Sequence, residues 1–168
     1  METKFKLFGH PVHPMLVVFP LGLLSTAVIF DVLYLVTGND ELAVVAFWAI
    51  AVGVVGGLLA AVFGLWDWLG IPKDTRAKQI GLVHGGGNVV VTGLFAVSWL
   101  LRLGDPTYLP DTLLPFVLGV VGASLALFTA WLGGELVYRL RVGVDDNAGL
   151  NATSSLSAAG LADVDRPG

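Results

Sequence analysis

Residues 42–69 read LAVVAFWAIAVGVVGGLLAAVFGLWDWL, a run in which Asp67 is the one charged side chain. A hydrocarbon core is crossed by about 20 mainly apolar residues, each adding about 1.5 Å of helix. This stretch therefore reads as a membrane-crossing helix. Its small residues fall in two rows, Gly53, Gly57 and Ala61 in one and Gly56, Ala60 and Gly64 in the other. In lipid, where no hydrophobic force drives helices together, small residues at this spacing let their backbones approach closely.

Three more spans lie outward from it, at about 14–36, 84–101 and 113–137. The third is the shortest apolar run and opens on Gly85-Gly86-Gly87. The fourth has its own close-packing row, Gly122, Ala126, Ala130 and Gly134. Composition agrees: 55% of residues are hydrophobic and 13% charged, against about 25% charged in soluble domains, and the mean hydropathy is +0.81. The fold class is all-α, an integral membrane four-helix bundle over 1–144. Its small-residue rows suggest a homo-oligomer. After Val144 the chain is small, polar and weakly acidic, and 145–168 is expected to be a disordered tail.

Basic residues set the expected orientation. With four spans, both termini and the middle loop share a side, which carries Lys4, Lys6, Lys73, Arg76, Lys78, Arg139, Arg141 and Arg166. The other side has Arg102. Both termini are therefore expected in the cytoplasm, with Trp66, Trp68 and Tyr138 in the inner aromatic belt and Tyr34, Trp99 and Tyr108 in the outer one. The N-terminus lacks a charged region followed by a cleavage site, so the first span is read as its own insertion signal. The absence of cysteine excludes disulfides, thiolate chemistry and iron–sulfur ligation.

The chemistry-bearing residues gather at the side of the termini. His10 and His13 precede the first span, each followed by proline, and proline pushes the residue before it toward extended geometry. Both are thus expected on a stiff lead-in outside the helix. Asp67 closes the second span, His84 opens the third, and Glu135 closes the fourth. His84, Asn88 and Thr92 share a helix face at four-residue spacing. Acids at helix C-termini and a histidine near an N-terminus stand against their local dipoles, which calls for basic side chains, shared protons or a cation nearby. Ionisable groups within spans are functional candidates by default.

Three readings compete for this cluster. His84 and His13, or His10, could ligate a b-type haem across the bundle. Histidines and acids (His13, His84, Asp67 and Glu135) could instead bind a divalent metal such as zinc, manganese or iron. In the third reading His10 and His13 are interfacial N-terminal residues, and His84 only bonds a backbone carbonyl or Asp67. A shared metal centre requires imidazole nitrogens about 4 Å apart, from two bonds near 2 Å. Asp31, late in the first span, is expected to reach the interface or pair with Arg102, with a proton-relay role as the lesser alternative. The triple glycine lacks the strand and lysine of a phosphate loop and is expected to allow close packing around His84. Nothing suggests a hydrolase or nucleic-acid binding, and Asn151-Ala152-Thr153 is a chance glycosylation match in a tail expected to be cytoplasmic.

At these residues the chain resembles a known family. His10-Pro11-Val12-His13-Pro14 leading to Phe19-Pro20-Leu21-Gly22, Asp67-Trp68, His84 with Asn88, and Gly133-Gly134-Glu135-Leu136-Val137-Tyr138 resemble the domain of unknown function 2231 family. These are small, mainly bacterial, predicted four-span membrane proteins, and the resemblance runs from about Gly9 to Val144. It implies a multi-pass inner (plasma) membrane protein. Relatives joined to Rieske or cytochrome domains imply a link to electron transfer and a redox partner protein. On that reading His84 is one axial haem ligand and His13 the other, with Asp67 and Asn88 orienting the imidazoles. Two further histidines common in the family fall where this chain has Val18 and Leu140. The alternatives are a metal or proton carrier using the same cluster, and a ligand-free scaffold subunit in the lipid bilayer.

Overall fold

The computed structural model describes residues 3, 5–104, 107, 109–110 and 112–157. Four helices make the body: α1, Val12–Thr37; α2, Asp40–Gly70; α3, Arg76–Leu100; and α4, Leu114–Gly134. Each is long and apolar enough to cross a membrane. Among the described residues the only strands are β1, Lys6–Leu7, and β2, His10–Pro11, which form a small hairpin before α1.

The first helical hairpin turns where capping chemistry expects it. Gly38 takes φ +67° and its N–H donates to the Tyr34 carbonyl, the left-handed helix ending that glycine adopts without strain. The Asn39 side chain then accepts from the Glu41 N–H, while Asp40 and Glu41 place negative charge at the positive end of α2.

Two boundaries differ from expectation. α3 begins at Arg76, eight residues before the position read from hydropathy, so the polar loop expected over 71–83 shrinks to 71–75. The local reason is a cap at Thr75, whose hydroxyl accepts from the Lys78 N–H. Lys78 then secures this polar first turn against α2. Its Nζ donates to the Trp68 carbonyl at 2.7 Å and lies 3.8 Å from the centre of the Trp68 ring, and the Trp68 indole N–H donates to the Lys78 carbonyl. Hydropathy missed these turns because Arg76 and Lys78 lower it although both lie within the helix.

α1 likewise starts earlier, at Val12, and places His13 inside its first turn. The expectation of an extended His13 is corrected. The first four N–H groups of a helix have no intrahelical partner, so Pro14 removes nothing there. The restraint that proline puts on its neighbour is a preference, and the helix outweighs it. His10 does lie on extended backbone, in β2. The hairpin pairs Lys6 with Pro11 and Leu7 with His10 around Phe8 (φ +51°) and Gly9 (φ +82°), the double positive φ of a tight two-residue turn. Phe5 anchors it to α2 by edge-on contacts with Phe63 and Trp66, at 5.9 and 5.6 Å.

The helices run up-down-up-down, with α1 packed on α2 and α3 on α4. Their shared core is Leu24, Ala27, Ala46, Ile50, Val91 and Phe95. The glycine rows work inside the chain. A Cβ at Gly53 would stand 2.6 Å from Leu24, one at Gly56 2.9 Å from Phe19, and one at Gly122 2.8 Å from Phe95. Apolar side chains such as Val36, Leu58, Val89, Leu127 and Trp131 cover the outside, a surface suited to lipid rather than water.

At the end away from the termini, Asp31 of α1 and Arg102, just beyond α3, form a two-pronged ion pair of 2.7 and 2.6 Å. Both are buried. Ser98 donates to the Pro115 carbonyl at 2.7 Å and so ties the pair to α4. The pairing expected of Asp31 with Arg102 is present. α4 continues into a π-helical turn, Glu135–Arg139. Residues 145–157 of the tail make turns without helix or strand, while 158–168, along with Lys4, Tyr108 and Arg166 of the charge and aromatic reading, lie outside the described residues.

Candidate functional site

Two diagonal helices bring the histidines together. His13 at the start of α1 and His84, eight residues into α3, have ring centres 6.4 Å apart and ring planes nearly perpendicular, at 87°. The Nδ1 of His13 lies 2.8 Å from the Ala60 carbonyl of α2, and the Nδ1 of His84 lies 2.8 Å from the Thr129 carbonyl of α4. All four helices therefore meet at this point. A carbonyl only accepts, so each Nδ1 is the donor in these bonds.

A polar group supports His84. The Asn88 amide nitrogen lies 2.9 Å from the His84 carbonyl and 3.3 Å from its Nε2. The Asn88 amide oxygen accepts from the Thr129 hydroxyl at 3.0 Å. Thr92, one turn further, donates to the Asn88 carbonyl. The shared face of His84, Asn88 and Thr92 read from spacing thus lines the interior.

Glycines make the space, though not those expected. A Cβ at Gly64 would stand 2.8 Å from the His13 ring, and one at Gly133 3.1 Å from the His84 ring. Gly85 and Gly86 have nothing within 4 Å, and Gly87 packs on Thr129 rather than on His84. The triple glycine is therefore not the bed of the imidazole. The rows on α2 and the Gly133-Gly134 pair carried the usable signal: small residues at the depth of each histidine.

The remaining candidates separate. His10 is exposed, with its Nε2 3.4 Å from the Ser155 hydroxyl oxygen, and stands apart from the pair in β2. Glu135 accepts from Arg76 at 2.7 Å, so a basic side chain supplies the compensation its helix-end position calls for. Asp67 is buried on α2. Among the described residues, no group of three or more His, Asp or Glu is placed to hold a metal ion. His84 also sits more than two turns inside α3, beyond the first turn over which the helix dipole acts, so the dipole argument for it falls away. Val18, where the resemblance implied a further histidine, is exposed.

The arrangement can do one thing chemically. It presents two imidazoles, each oriented by a carbonyl bond of the kind that holds metal-ligating histidines, inside an apolar bundle. No curated protein and no solved structure matches the chain. Four apolar helices agree with a family profile that matches residues 9–146: the chain belongs to the DUF2231 family of predicted membrane proteins.

Proposed function

We propose that this multi-pass membrane protein binds a metal centre between His13 and His84 and serves as the membrane component of an electron-transfer system. The observation behind it is the pair of carbonyl-oriented imidazoles with ring centres 6.4 Å apart. A shared ion would need the ring nitrogens within about 4 Å of one another, from two bonds of about 2 Å. Asn88, whose amide nitrogen lies 3.3 Å from the His84 Nε2, would turn away from that nitrogen when it ligates.

A single metal ion asks least of the fold. Gly64 and Gly133 press on the two rings, and a porphyrin between them requires the helices to part there. Imidazole donors suit zinc, copper or iron, with water completing the ligand set. Haem b is the second reading, favoured by the donor count, since two imidazoles complete a haem iron and leave a bare ion short. A carrier reading is weaker. The polar ladder from His84 to Thr92 leads to the apolar layer of Leu24, Ala27, Ile50, Val91 and Phe95, which offers a crossing proton or ion no polar partner. The cytoplasmic side of both termini, the inner membrane, a redox partner and self-association belong to the same proposal and rest on the basic-residue asymmetry, the family resemblance and the small-residue rows.

Purified protein loaded separately with zinc, copper and haem tests the site. The expected result is one equivalent bound, seen by elemental analysis or as a Soret band, and lost in both His13→Ala and His84→Ala. Wild-type protein that retains none of the three overturns it.

A further inference from the structure

Asn88 stands one turn beyond His84, and two partners fix which way its amide faces. The amide nitrogen lies 2.9 Å from the His84 carbonyl, and the amide oxygen lies 3.0 Å from the Thr129 hydroxyl. A carbonyl oxygen only accepts, so the atom that faces it must be the one that donates. The same nitrogen lies 3.3 Å from the His84 Nε2, and an amide has a second hydrogen to offer there. Across the ring, Nδ1 donates to the Thr129 carbonyl at 2.8 Å. A proton on Nε2 would meet an amide hydrogen. The arrangement thus selects an imidazole protonated at Nδ1, with the lone pair of Nε2 covered by Asn88.

The Thr129 hydroxyl makes this cover removable. It lies 3.0 Å from the Asn88 amide oxygen and 3.0 Å from the Ala126 carbonyl, two acceptors for a single hydrogen. When Asn88 turns away, the hydroxyl keeps the Ala126 carbonyl. Thr129 is buried, and the penalty of an unpaired buried donor is avoided. The contact with Nε2 is also the longest that Asn88 makes, and hydrogen bonds weaken with length.

We propose that Asn88 is a latch on the His84 Nε2, closed in the metal-free protein and opened when an ion takes that nitrogen. Thr129 is the catch that sets how readily it turns. Both are positioning residues and not ligands. This role rests on the metal reading of the histidine pair. It differs in sign from plain support of the site, because removing a latch strengthens binding and removing a support weakens it.

The experiment uses the full chain in detergent micelles, with isotope-labelled histidine read by nitrogen NMR and zinc as the added metal. Without zinc, the His84 Nε2 resonance should be that of an unprotonated ring nitrogen accepting a hydrogen bond. In Asn88→Leu it should move to higher frequency, toward a free lone pair. Thr129→Val, which keeps the carbonyl that holds Nδ1, should move it the same way by less. Zinc binding, counted as the equivalent that His13→Ala abolishes, should tighten about fivefold in Asn88→Leu, from release of one hydrogen bond, and by less in Thr129→Val. A proton on Nε2 in the metal-free wild type, or a resonance that Asn88→Leu leaves in place, overturns the latch, while zinc bound by the wild type keeps the histidine pair as a metal site. Binding that weakens or stays the same in both variants overturns it too. Zinc bound by neither the wild type nor either variant overturns the metal reading and the latch with it.

Discussion

The two ends of the bundle solve one problem in opposite ways. Both bring a polar group from α1 against one from α3, or just beyond it, across the diagonal. Away from the termini the groups are Asp31 and Arg102, opposite charges in direct contact and buried. At the other end they are His13 and His84, which bond not to each other but each to a carbonyl of a third and a fourth helix. The ion pair closes on itself. The histidines have their Nδ1 atoms held by carbonyls, and the Nε2 of His84 has the Asn88 amide nitrogen 3.3 Å away. One end closes an ion pair, and the other ties two imidazoles to two further helices. Between them lies an apolar layer that separates the two environments.

This contrast can be broken first at the ion pair. Asp31→Leu leaves Arg102 buried without its partner and should cost about 3–5 kcal/mol, read from unfolding in micelles. The double variant Asp31→Leu with Arg102→Met should recover most of that. A single-variant loss below about 1 kcal/mol would remove the distinction between the ends. Next in size, Gly64→Ala drives a Cβ to 2.8 Å from the His13 ring and should cost about 1–3 kcal/mol by overpacking. Gly22→Ala, with nothing within 4 Å, should gain up to about 1 kcal/mol from helix propensity. Equal effects of the two would show that the imidazole is not held by that close contact. The smallest change is expected at Arg76, whose side chain is 61% exposed in its pair with Glu135. Arg76→Ala should shift stability by no more than about 1 kcal/mol, and metal retention should be unchanged. Loss of bound metal there would draw Glu135 into the site.

The fold was largely legible in the sequence, and the site only in part. Span count follows from apolar run length, and the Gly38-Asn39 turn from local capping chemistry. The start of α3 did not follow from hydropathy, because Thr75 and Lys78 act through one hydroxyl and one ammonium, neither of which raises it. The helical placement of His13 was hidden by a proline rule that is a preference and not a prohibition. The hairpin carried one cue, Phe8-Gly9, too short to outweigh the apolar run beside it.

Residue type and spacing by themselves determined four apolar helices, the caps between the first two, the shared face of His84, Asn88 and Thr92, and the start of α1 and the end of α4 lying on one side. Those properties depend on periodicity and composition, which act over a few neighbouring residues. Tertiary structure alone decided which histidine meets which and which glycines make room for the rings. It decided that Glu135 meets Arg76 while Asp31 closes on Arg102. These depend on the rotation and depth of each helix in the bundle, and small residues more than 40 positions away in the chain set them: Gly64 lies against His13 and Gly133 against His84.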